Sequence, residues 1–109
     1  YSTAPAFNVP AISTELSYML DKIIVSTDAD RERYAARALT IYRMNGLVDS
    51  LKATAAANAA QAYLEIANAA RAASNSDRET NYRAKFTQWM GVAANIDPKY
   101  QKLLNPPAQ

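Results

Sequence analysis

Between residues 53 and 73 the chain carries alanine at 12 of 21 positions, with only Glu65 and Arg71 charged. Nothing in this stretch breaks a helix, and alanine is the best helix former, so it predicts one long helix. It also limits how that helix packs. Ala55 and Ala59, Ala56 and Ala60, and Ala69 and Ala73 are small residues four apart, a spacing that lets a neighbouring backbone come close. Asn58, Gln61, Glu65 and Asn68 argue against lipid on every side. Two readings carry equal weight. One is a surface helix of high propensity. The other is a helix packed on both sides, because almost no charge solubilises an outer face.

The remaining segments supply partners for such a helix. Ser13 is an N-cap candidate with Glu15 in the first turn, and Ile12, Leu16, Met19, Leu20, Ile23 and Ile24 recur on one helical face. Thr27 and Asp30 form a variant capping box opening a second helix to about Met44. Its inner face is Tyr34, Ala35, Ala38, Leu39, Ile41 and Tyr42, and Asn45-Gly46 is its stop signal. The alanine-rich helix is expected from Leu47 to about Ala73. Ser76 and Glu79 make a capping box for a fourth helix whose stripe is Tyr82, Phe86, Trp89, Met90 and Ala93. Asp97-Pro98 starts a last short turn bearing Tyr100, Leu103 and Leu104. Pro5 and Pro10 disfavour helix before it is established, so residues 1–12 are expected to be an extended arm. The expectation is an all-α protein: a small bundle of about four helices over residues 13–104, with that arm and a Pro-ended tail at 105–109.

The 23 alanines outnumber the 20 Leu, Ile, Val and Phe residues together. Each helix therefore gains less than a Leu-rich one, at about 25 cal/mol per Å² of apolar surface. The core must lean on close backbone approach or on surface buried against other subunits. The absence of cysteine and histidine removes disulfides, thiolate nucleophiles and the commonest general base and metal ligand. Gly46 and Gly91 are the only glycines, so no glycine-rich phosphate loop exists. No apolar run is long enough to span a membrane. The chain opens on Tyr1, which fits a processed N-terminus or a piece of a longer protein. No catalytic residue, cofactor site or metal site is expected.

The carboxylates Glu15, Asp28, Asp30, Asp77, Glu79 and Asp97 fall at expected helix starts, where free N–H groups and the helix dipole favour anions. Glu65 alone lies mid-helix among uncharged residues, and a small enzyme with this single working carboxylate is the third-ranked reading. Arg31, Arg33 and Arg37 could contact phosphates in a helical nucleic-acid-binding module, the second-ranked reading. Asp28, Asp30 and Glu32 interleave with them, as on a solvated face. Tyr18, Tyr34, Tyr42, Tyr63 and Tyr82 read as core-edge residues, whereas Tyr1 and Tyr100 read as interface residues.

The leading expectation is a non-enzymatic structural subunit of a larger assembly of like or unlike protein chains. A virus or phage particle (connector, core or minor capsid type) is the setting it suggests, with a virion or the cytoplasm as the location. The expected interaction residues are Phe7, Val9, Ala56, Ala60, Tyr100, Leu103 and Leu104. Removing residues 1–10 is then expected to leave helicity and monomer stability nearly unchanged while association is lost. Phe7→Ala alone should weaken association by about 1–3 kcal/mol if the ring is a pocket anchor. Light scattering and thermal melts of the truncated chain read both effects, and a chain that melts early but still assembles contradicts the arm's role.

Overall fold

The computed structural model describes residues 9–105. Four α-helices follow one another: α1 (Val9–Val25), α2 (Asp28–Tyr42), α3 (Asp49–Ala72) and α4 (Ser76–Ile96). A 3₁₀ turn, Pro98–Leu103, closes the described chain. The described residues contain no strand, and the result is a small all-α bundle measuring 54 × 27 × 19 Å.

The alanine-rich helix is the centre. Ala53, Ala55, Ala56, Ala59, Ala60, Ala62 and Ala67 are all at 0% exposure. α3 is packed against α1, α2 and α4 at once. Of the two readings of this helix, the one packed on more than one side holds, and the covering helices belong to the same chain. Leu16, Ile23, Ile41, Ile66, Phe86 and Met90 supply the bulk of the enclosed volume. The expected inner faces of α2 and α4 match the buried residues, with Tyr34, Tyr42 and Trp89 half-buried at their borders.

α1 departs from expectation at both ends. It begins at Val9, so residues 9–12 of the expected arm are helical and Ile12 is core. A proline in the first helical turn loses nothing, because the N–H it lacks would have had no partner there. Ser13 is accordingly inside the helix, and Glu15 lies beyond its first turn. Phe7 and Tyr1 lie outside the described residues, as do positions 106–109. A truncation ending at residue 8 is therefore the one that spares α1. On the buried side only Ile12, Leu16, Met19 and Ile23 are covered, whereas Leu20 and Ile24 face outward.

Local signals explain the boundaries. The Thr27 side chain accepts from the Asp30 N–H at 3.2 Å and caps α2. α2 ends at Tyr42, and Gly46, at φ 80°, takes the left-handed conformation that turns the chain toward α3. The N-cap of α4 is Asn75, whose side chain accepts from the Arg78 N–H at 3.1 Å, one residue before the expected Ser76. The reason lies in how α3 stops. Ser74 adopts φ 58°, with its N–H bonded to the Arg71 carbonyl and the Asn75 N–H bonded to the Ala70 carbonyl. This is a Schellman ending. It places Asn75, not Ser76, outside the helix in position to cap. Asp97 caps the closing turn by accepting from the Lys99 N–H at 3.1 Å.

Ser74 holds a conformation that glycine adopts freely and an L-residue adopts at a cost of about 1 kcal/mol. Ser74→Gly should raise unfolding free energy by about that much in urea, with an unchanged m-value, whereas Ser74→Val should lower it.

Candidate functional site

The arginines of α2 serve the fold first. Arg31 is nearly covered and donates from Nε to the Ile23 carbonyl at 2.7 Å and from Nη2 to the Ile24 carbonyl at 2.8 Å. It thereby caps the C-terminal end of α1, whose last carbonyls have no partner within the helix. Its remaining nitrogen, Nη1, pairs with Asp28 at 3.0 Å. Arg37 clasps Glu15 of α1 with two bonds, 2.6 and 2.9 Å long, and holds that carboxyl below its ordinary range. Arg33 pairs with Asp30 and is mostly exposed. Two of the three arginines assigned to phosphate contact in the second-ranked reading are thus bonded within the bundle.

The carboxylates are distributed rather than gathered. Asp28 and Asp30 sit in the first turn of α2, and Asp77 and Glu79 in the first turn of α4. Glu65 accepts from the Gln61 side chain at 3.0 Å. Among the described residues no three carboxylates come together as a metal-binding group. No helix among them is long and apolar enough to cross a membrane.

The expected interaction residues separate into three sets. Ala56 and Ala60 are at 0% exposure, enclosed by this chain's own helices, so they are core and offer a neighbour nothing. The small-residue spacing serves close packing, and the packing partner is internal. Tyr100 and Leu104 pack against the same core, with the Tyr100 hydroxyl 3.4 Å from Thr54 Oγ1. Val9 and Leu103 remain outward, at 44% and 42% exposure.

The larger exposed apolar surface was not singled out from sequence. Among the described residues, five of the seven exposed large apolar side chains, Val9, Tyr18, Leu20, Ile24 and Val25, belong to α1. Periodicity placed Leu20 and Ile24 on the core face. The stripe that α3 covers is too narrow to take them. A shallow depression in the N-terminal half of α1 is lined by Pro10, Ala11, Thr14, Glu15 and Tyr18.

A second region joins α2, α3 and α4. Tyr82 donates its hydroxyl to Glu32, and its ring stands 6.0 Å from that of Tyr63. The bond to Glu32, then burial, raises the Tyr82 pKa, and burial followed by the Glu32 charge raises that of Tyr63. Lys85 Nζ lies 5.6 Å from the Tyr63 ring and 5.8 Å from the Tyr82 ring, and Arg43 lies 5.7 Å over Trp89. No family model, curated protein or solved structure matches this chain.

Both phenols have folded pKa values above their unfolded value of about 10. Between the two values the native state binds more protons, so their contribution is complete below pH 10 and is lost as pH rises through the folded pKa. Tyr82→Phe should therefore flatten the decline in stability as pH rises above about 10. Urea titrations across that range measure it; an unchanged slope would mean that the Glu32 bond does not hold the proton.

Proposed function

We propose that this protein is a non-enzymatic structural subunit that associates with other protein chains through the outer face of α1. The observation that carries this reading is the concentration of exposed apolar side chains on one helix. Leu20 at 42%, Ile24 at 60% and Val25 at 77% exposure lie together at its C-terminal end. Scattered single exposures need no explanation, whereas an apolar group on one element marks a surface that favours a partner.

The way α1 is held agrees with that role. Four buried side chains and polar clamps from Arg31, Arg37 and Asn58 fix it to the bundle. Its other faces are left to a neighbour. The α1 surface is also continuous in sequence with the segment containing Phe7, so both can serve one interface. A multi-subunit particle, including a virus or phage particle, is the setting that a small interaction domain of this kind fits. Fixing Arg31 and Arg37 in the bundle counts against a nucleic-acid module built on those residues.

Leu20→Glu with Ile24→Glu should abolish association while leaving the circular dichroism spectrum and melting temperature of the separated chain unchanged. Both positions are solvent-exposed, so the monomer loses no core contact. Sedimentation at increasing concentration, alone and with co-purifying subunits, is the measurement. Assembly that survives both charges sinks the α1 interface.

A further inference from the structure

Six of the twelve cationic side chains form ion pairs: Arg31, Arg33, Arg37, Arg78, Arg83 and Lys99. Three of the other six, Arg43, Lys52 and Lys85, collect where α2, α3 and α4 meet. Each is held over aromatic rings instead of beside a carboxylate. Lys85 stands over Tyr63 and Tyr82, Arg43 over Trp89, and Lys52 over Tyr42 at 4.7 Å. The rings are themselves linked, Tyr42 meeting Trp89 edge to face at 5.4 Å and Tyr63 standing beside Tyr82. Lys52 also donates to the Tyr42 carbonyl at 3.0 Å. A ring fixes the position of a cation without neutralising it. The seam therefore presents three positioned positive charges that form no ion pair among the described residues, with the Glu32 carboxylate on the Tyr82 hydroxyl at one end.

We propose that this seam binds a short acidic segment of a partner protein, separately from the apolar face of α1. Side chains already held in place lose less freedom on binding, so the seam is prepared for carboxylates beyond that of Glu32, which is bonded to the Tyr82 hydroxyl. Two features favour a short acidic peptide over a nucleic acid strand. Tyr63 and Tyr82 are buried at 8% and 9% exposure, and the described cations occupy ring faces, so no open platform remains for stacked bases. Asp28 and Glu32 stand toward the Arg78 end, which shortens the run of positive charge and repels a long polyanion.

The test is fluorescence anisotropy of the full chain with a fluorescein-labelled polyglutamate peptide, and in parallel with a labelled single-stranded oligonucleotide of equal charge. Saturable peptide binding that weakens with added salt is expected. Arg43→Gln with Lys85→Gln should weaken it about tenfold or more, the scale of one lost charge contact. Arg43→Lys with Lys85→Arg should retain binding. Arg33→Gln with Lys102→Gln, which removes the same net charge elsewhere, should also leave it unchanged. Melting curves confirm that each variant is folded. Equal weakening by both charge-removing pairs would reduce the effect to net charge and overturn the proposal. Tighter binding of the oligonucleotide, lost on the Arg43 and Lys85 changes, would overturn it in favour of nucleic acid.

Discussion

The surface of α3 is the constraint on which the other helices depend. Its alanines let neighbouring axes approach toward the short end of the roughly 8–10 Å range for packed helices. In exchange, most buried residues of α3 contribute only a methyl group, with Leu51, Tyr63, Leu64 and Ile66 the larger apolar ones. Five of the six largest fully buried side chains come from its neighbours, Leu16 and Ile23 from α1, Ile41 from α2, Phe86 and Met90 from α4, and the sixth, Ile66, from α3 itself. Each of those five is laid on a nearly smooth cylinder, so most of the hydrophobic stabilisation arises where a large residue meets the α3 backbone and methyl groups. Such an arrangement has no slack. An added side chain at Ala56 or Ala60 would have to displace a whole helix rather than rotate a neighbour.

A smooth cylinder specifies position poorly, and polar groups make good the deficit. Asn58 is the buried polar residue of the described core, 2% exposed, and donates to the Leu16 carbonyl of α1 at 2.7 Å. Sliding α1 by one residue along α3 would strand that amide, at the cost of an unsatisfied buried donor. Arg31 and Arg37 act similarly between α1 and α2, one on the α1 carbonyls and one on Glu15. α1 is thus placed by a few directional bonds as much as by burial. This is why a helix with four buried side chains can sit in one register and still carry exposed apolar residues.

The legibility of the fold follows from the range of each interaction. The inner faces of α2 and α4, the Thr27 and Asp97 caps and the stop at Gly46 are local or periodic, and the sequence alone locates them. The start of α1 was obscured because proline reads as a breaker unless its place in the first turn is known. Leu20 and Ile24 satisfy helical periodicity, but periodicity does not measure the width of the surface that covers it. The close packing of Ala56 and Ala60 was legible, whereas the identity of the covering helix was not, since methyl groups carry no label for self or neighbour. Arg31, Arg37 and Lys85 are each placed in part by residues seven to 22 positions away, which no local pattern encodes.

Charge placement separates this protein's two surfaces in a way its net charge of +2 conceals. Carboxylates at helix starts neutralise arginines that tie helices together, as Asp28 does for Arg31 and Arg78. Four of the six cations left over, Lys22, Arg43, Lys52 and Lys85, are stationed on aromatic rings, which hold them without an anion. α1, by contrast, exposes Leu20, Ile24 and Val25 and has its Glu15 already paired. The proposed association through α1 would draw on apolar burial, which salt leaves intact or strengthens, whereas the proposed attraction at the ring-held cations would fall as salt screens it. Ionic strength therefore distinguishes the two surfaces within one molecule, and a partner using both would be held by contacts that respond to it in opposite directions.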